Sequence, residues 1–232
     1  MPELHVLGIE GIGEVRPGDD LASMIGDAVE AMGSTFEAGD VLVVTHKVVS
    51  KQEGRVVEIP DEQTYRALVE DEAAEVIRRR GDLVIARTRH GFICANAAVD
   101  RSNTAAGSAI LLPVDPDRSA HRLRTLIGRR TGVEVGVVIT DTFGRPWRRG
   151  LVDVAIGISG VAPILDLKGT TDTHGNELQV TEVAVVDEIA AAADLVMGKA
   201  TGIPAAIVRG LDVAGEGRAT DLVRPASEDL FR

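Results

Sequence analysis

Along the chain, short runs of β-branched and aliphatic residues alternate with stretches whose apolar positions recur every three or four residues. VLVVT (41–45), DLVIART (82–88), AILLPV (109–114), VEVGVVIT (133–140), PILDL (163–167) and AAIVRG (205–210) read as strands. Several are apolar almost throughout, the pattern of strands buried on both faces. Helical periodicity covers roughly 20–33, 62–80, 116–130 and 181–196. The first helix follows Pro17-Gly18-Asp19-Asp20, a turn that places acidic residues at the positive end of a helix dipole. The third follows Pro116. The fourth has Thr181 as a candidate cap and Gly198 as a stop. The alternation predicts an α/β fold with a sheet-rich lobe over about 143–180, where Gly and Thr are dense. Nothing repeats, and no low-complexity linker divides residues 1–232.

Composition narrows the class. A chain of 232 residues with 44% hydrophobic and 26% charged residues can bury a large core, and with 3% aromatics that core must be aliphatic. No apolar run approaches the roughly 18–20 residues that span a bilayer. The start MPELHVLGIEG lacks the basic and apolar regions of a secretory signal. The single Cys94 can form no internal disulfide and, with no basic neighbour in sequence, reads as a small core residue. These features predict a cytoplasmic protein without a membrane anchor. A net charge of −11 argues against nucleic acid, where phosphate neutralisation dominates affinity, but not against small phosphorylated ligands.

Familiar nucleotide motifs are missing. The stretch from Gly26 to Thr35 has no P-loop lysine and lies within a helical pattern. Gly8, Gly11 and Gly13 do not have dinucleotide-fingerprint spacing. The five His (5, 46, 90, 121, 174) show no zinc-ligand spacing. Three polar segments remain. Thr45 to Lys51 (THKVVSK) follows a strand, where hydroxyls and two Lys suit a phosphate; the same residues equally suit a solvated loop leading into a helix. Asp100 and Asn103 are placed to hold a hard cation and a nucleotide hydroxyl, and are also ordinary turn residues. The sharpest segment is VEVGVVITDTFGRPWRRG. It ends a buried strand in Asp141-Thr142, suited to magnesium or manganese, and then carries Arg145, Trp147, Arg148 and Arg149, suited to an anion or a flat ring. A turn with salt bridges is the competing explanation. MGKATGIP (197–204) can close over a ligand or simply join a helix to a strand.

Taken in order, RPGDD, THKVVSKQEGR, VEDEAAEVIRRR, AAVDRSN, LLPVDPDRSA, VVITDTFGRPWRRG, GNELQVTEVAVVDEIAAAADLVMGK, RGLD and DLVRP resemble the coenzyme F-420:L-glutamate ligase family over essentially the whole chain. The likeness is strongest to the ligase half of an actinobacterial two-domain enzyme, which continues into a flavin-binding nitroreductase-like domain. This sequence reads as a stand-alone ligase or as that half alone.

The resemblance implies a two-lobed α/β fold with mixed sheets in an intertwined homodimer, and GTP-dependent addition of L-glutamate to the lactyl carboxylate of the coenzyme F-420 precursor. It implies a divalent metal, magnesium or manganese, as two ions, with Asp100, Asp141 and Thr142 as ligands. Ile12, Gly13, Glu14, Val15, His46, Lys51, Asn103, Met197, Gly198, Lys199 and Ala200 correspond to GTP contacts. Asp141 and Lys51 are the expected catalytic residues, and Arg145, Trp147, Arg148 and Arg149 are assigned to substrate. Two departures stand out: Lys199 takes the place of a metal-binding Gln, and His46 occupies a position usually small and hydroxylated. The competing functions are a deazaflavin- or flavin-binding oxidoreductase and a noncatalytic metal-binding scaffold.

Overall fold

A computed structural model describes residues 3–230. In chain order the elements are β1 (His5–Gly8), α1 (Leu21–Ala31), β2 (Val41–Thr45), α2 (His46–Gln52), β3 (Val56–Glu58), α3 (Glu62–Glu72), β4 (Ala73–Arg80), β5 (Leu83–Thr88), β6 (Ile93–Ala95), β7 (Ser108–Ile110), α4 (Pro116–Thr131), β8 (Gly136–Arg145), β9 (Arg148–Ser159), β10 (Leu165–Asp166), β11 (Glu182–Val183), α5 (Val185–Met197) and β12 (Ala205–Arg209). The α/β class read from the alternation is the one observed, built on mixed and antiparallel sheets.

The main sheet has the order β1-β12-β2-β8-β9, with β2 and β8 parallel and the other pairs antiparallel. Its inner strands are the apolar runs of the sequence: Val41 to Val44 and Val137 to Ile139 have at most 1% exposure. Each such aliphatic side chain contributes about 1.5–3 kcal/mol by leaving water. Helices cover both faces. A Cβ on Gly8 would touch Val196 of α5, whereas one on Gly157 would overlap the backbone of Pro116 in α4 at 2.5 Å. The register Gly8–Ala206–Val43–Val138–Ile158 puts Gly8 and Ile158 on one face. Gly157, one residue earlier, therefore points to the other. Gly157 is required there because α4 lies directly on the strand.

Helix starts follow their caps. Asp20 accepts from Ser23 N (3.1 Å) at α1, and Asp115 accepts from Arg118 N (3.0 Å) at α4, whose end is the left-handed Gly132. The helix expected over 62–80 stops at Glu72. Residues 73–80 instead pair antiparallel with β5, because tertiary pairing outweighs the helical periodicity of AAEVIRRR. The fourth helix begins at Val185, not at Thr181; Glu182 and Val183 pair with β10, and Ala184 gives no side-chain cap. The strands read over 109–114 and 163–167 shorten to β7 and β10, and that over 133–140 shifts to Gly136–Arg145.

The Gly- and Thr-dense segment 143–180 contributes the end of β8 and all of β9 to the main sheet, followed by loop and the short β10. A second lobe lies elsewhere, over roughly 56–111. There α3, the β4-β5-β6 sheet and the β3-β7 ribbon enclose a separate core of Ile59, Val69, Val84, Ala86, Ala97, Val99, Ala109 and Leu111. Between β6 and Asp100 the chain takes three consecutive left-handed residues, Asn96, Ala97 and Ala98 (φ 50, 51 and 59°). Such a turn costs about 1–2 kcal/mol per residue for non-glycine side chains. It is held by Asn96, which accepts from Val84 N at 3.0 Å. The turn delivers Asp100 to the boundary between the lobes. No helix among the described residues is long and apolar enough to cross a membrane.

Candidate functional site

A cleft of about 890 Å³ opens along this boundary. One wall is the loop after β1, contributing Ile12, Gly13, Glu14 and Val15. The second is α2 with Lys47 and Lys51. The third comes from the second lobe with Asn103, Thr104 and Ser108, and the fourth is the end of α5 at Met197 with the loop after it, Gly198, Lys199 and Ala200. Thr142 and Asp153 of the β8–β9 hairpin line its base, with Asp194 of α5 beside them. Residues up to 192 positions apart in sequence (204 − 12, from Ile12 to Pro204) thus meet at the C-terminal ends of β2 and β8, the end at which parallel strands present ligand sites.

The segment THKVVSK is neither loop nor solvated. It becomes α2 directly after β2, with Thr45 as N-cap, and helical spacing sets Lys47 and Lys51 on one face. Lys51 Nζ lies 2.6 Å from Glu14 Oε1, joining two walls. Lys47 is 7% exposed and lies 2.6 Å from Asp100 Oδ2. Asp100 also accepts from Ser102 N (2.6 Å) and Ser102 Oγ (3.0 Å). Burial pushes its carboxyl up, but the Lys47 ammonium and the Ser102 donors outweigh that and hold it below the usual carboxylate value.

Side chains alternate along β8, so Asp141 faces away from Thr140 and Thr142. On the Asp141 side, His46 is completely buried and its Nε2 lies 3.2 Å from Asp141 Oδ1, too poorly aligned for a hydrogen bond. Burial also pushes the Asp141 carboxyl up, but His46, Lys47 and the Thr142 N–H together hold it down. Cys94 lies near this charge; burial first, and the Asp141 charge second, push its thiol up to about 12, so it is no nucleophile at neutral pH. On the Thr142 side, Thr140 Oγ1 and Thr142 Oγ1 donate to the buried Asp153 (2.9 and 2.5 Å), and Lys199 Nζ donates to Thr142 Oγ1 at 2.5 Å. Asp194 sits in the last turn of α5, where the helix dipole disfavours an anion. Burial and the Asp153 charge push its carboxyl up, and Lys199 opposes them.

All the expected nucleotide contacts except His46 line this cleft; His46 is buried behind it, against Asp141. Asp100 and Asp141 are not among the residues that line it; Lys47 pairs with Asp100 at 2.6 Å and pulls both carboxyls down. Arg145, Trp147, Arg148 and Arg149 are not brought into the cleft. They form the exposed tip of the β8–β9 hairpin, with Trp147 78% exposed and Arg145 Nη2 donating to Arg149 O at 2.6 Å. Sequence reasoning missed Asp153 and Asp194. The signal available was a lone acid within the apolar strand VDVAIGIS and another in the otherwise apolar helix AAAADLVM.

Asp100, Asp141 and Thr142 are oxygen donors of the kind a hard dication takes. Asp100 and Asp141 offer ionised oxygens, and the buried Nε2 of His46, 3.2 Å from Asp141 Oδ1, makes no well-aligned hydrogen bond. Among the described residues, no three His, Cys, Asp or Glu side chains converge on one point. Basic groups stand against each expected ligand instead: Lys47 at Asp100, His46 at Asp141 and Lys199 at Thr142.

The cleft at the strand ends, walled by Lys and small polar residues over the buried Asp153, is chemically suited to an anionic ligand. A family profile described as F420-0:Gamma-glutamyl ligase matches residues 10–210, and the chain belongs to that family. Relatives called Coenzyme F420:L-glutamate ligase span it nearly end to end. That of Methanothermobacter thermautotrophicus is 41% identical, covering 99% of both chains. That of Methanopyrus kandleri is 43% identical, covering 100% of this chain and 99% of its own. That of Archaeoglobus fulgidus is 44% identical, covering 99% and 96%.

Proposed function

We propose that this protein is a GTP-dependent ligase that adds L-glutamate to the lactyl carboxylate of the glutamate-free coenzyme F-420 precursor. Membership of the family supports the glutamate addition. The observation that carries the nucleotide is the convergence of residues 12–15, Lys51, Asn103 and the 197–200 loop on one cleft of about 890 Å³.

A carboxylate is a poor electrophile, so the reaction proceeds through an acyl phosphate. A carboxylate oxygen attacks the γ-phosphorus of GTP and the β–γ bridging bond breaks, releasing GDP. The glutamate amine then attacks the acyl carbon; phosphate leaves and the amine gives up a proton as the amide forms. Lys51 binds phosphate oxygens on its face of α2, with Glu14 fixing its ammonium across the cleft. Asn103, whose Nδ2 donates to Lys199 O at 3.3 Å, holds the 197–200 loop over the nucleotide. Asp100 and Asp141 hold a divalent cation, magnesium or manganese, which when bound neutralises charge on the transferring phosphoryl group. We assign the enzyme to the cytoplasm as a homodimer. No observation favours the oxidoreductase reading, which requires cofactor turnover without GTP.

Thermal melting tests the nucleotide assignment. GTP with manganese at about a hundred times its Kd should stabilise the fold by about 2.7 kcal/mol, a rise in Tm of roughly 5–10 °C. An unchanged melting temperature would contradict it.

A further inference from the structure

At neutral pH the glutamate amine arrives as an ammonium, which has no lone pair to attack with. Its site therefore needs an anion to receive it and an acceptor for one proton. Among the described residues, the acids that line the cleft are Glu14, Asp153 and Asp194. Glu14 pairs with Lys51 of α2 at 2.6 Å. Asp153 is buried and already accepts from the hydroxyls of Thr140 and Thr142 at 2.9 and 2.5 Å. The Asp194 carboxylate takes part in no hydrogen bond or ion pair among the described residues.

Two features set Asp194 apart from a solvated surface acid. It is an anion in the last turn of α5, against the helix dipole, within the otherwise apolar run AAAADLVM. It also stands beside a buried like charge. Burial and Asp153 push its carboxyl up, toward the operating pH, where a base works best; Lys199 opposes that rise. The Lys199 ammonium is bonded to Thr142 Oγ1 at 2.5 Å and forms no ion pair with Asp194, so the Asp194 oxygens stay open to a second ammonium.

We infer that Asp194 receives the ammonium of the incoming glutamate and is the general base of amide formation. This deepens the ligase reading above and rests on it. The carboxylate takes one proton from the ammonium, and the lone pair this frees attacks the acyl carbon. The C–N bond forms, and the bond from that carbon to the phosphate oxygen breaks with its electron pair on the oxygen. The amine's second proton leaves on the phosphate, and the third stays on the amide nitrogen. Asp194 is thus a catalytic residue of the second step and takes no part in phosphoryl transfer.

The test compares two nucleophiles. With the glutamate-free precursor, GTP and manganese, the purified protein is given either L-glutamate or hydroxylamine. Hydroxylamine is already uncharged at neutral pH and traps an acyl phosphate as a hydroxamate. Asp194→Asn keeps the size of the side chain and should lower glutamate addition by about 10²–10⁴-fold. Hydroxamate formation, and a single-turnover burst of GDP without any amine, should stay at the wild-type rate. Glutamate addition at the wild-type rate in Asp194→Asn would overturn the inference and leave the ligase reading intact. So would a fall of all three signals together, which would place Asp194 in the first step or in the fold. No product from the wild type with either amine would instead overturn the ligase reading, and the inference with it.

Discussion

Asp141→Asn should lower kcat/KM for glutamate addition by about 10²–10³-fold, the usual cost of removing one group that stabilises developing charge in a dry site. The substitution keeps the shape of a side chain that is only 8% exposed and removes the charge held against His46 and Lys47. Because Asp100 remains beside Lys47 at 2.6 Å, the ammonium keeps a partner and the fold should survive. Circular dichroism should therefore match the wild type while product formation, followed by mass spectrometry, collapses. Activity within twofold of the wild type would remove Asp141 from the mechanism.

Arg209→Ala is expected to produce the largest change in stability. Asp40 is fully buried ahead of β2 and accepts from Arg209 Nε and Nη2 at 2.7 and 2.8 Å, a two-pronged pair that fixes β12 against β2. Among the described residues the Asp40 carboxylate otherwise accepts from Glu37 N (2.8 Å), while Arg209 also contacts Glu37 and Thr35 O. Removing the guanidinium leaves a carboxylate inside the protein without its counter-charge, at a cost of about 3–5 kcal/mol. Against a total stability of about 5–15 kcal/mol this is a large fraction. Denaturant unfolding should show it directly. Adding Asp40→Asn to the same chain should recover a substantial part, since the orphaned charge is the source of the loss. No recovery would mean that lost packing, not lost charge, dominates.

How far the sequence could be read depended on distance along the chain. The core strands 41–45 and 205–210 declared themselves because aliphatic runs buried on both faces leave no periodicity to misread. Asp141-Thr142 stood out as a polar pair ending an apolar run, whereas Asp100 was equally readable as an ordinary turn residue. AAEVIRRR was misread as helix because its spacing satisfies a helical period, and only pairing with β5 decides between the two. The ion pair between Lys47 and Asp100 links residues 53 apart (100 − 47) across two lobes, so no local pattern could announce it. Asp153 meets Thr142 through the hairpin register, which includes a bulge at Ile139/Thr140, and a bulge inserts a residue that alternation alone does not reveal. The Arg-rich turn was read as clustered chemistry, yet it sits at the exposed hairpin tip, because strand pairing carries β8 on to Arg145 and away from the cleft.

The central claim is GTP-driven glutamate addition, and one assay addresses it directly. The purified protein is incubated with the glutamate-free coenzyme F-420 precursor, L-glutamate, GTP and manganese, and the products are read by mass spectrometry together with released GDP. A product heavier by one glutamyl residue is expected, with one GDP released for each amide bond and nothing formed when GTP is left out. Equal product without GTP, or no product with any divalent metal, would contradict it.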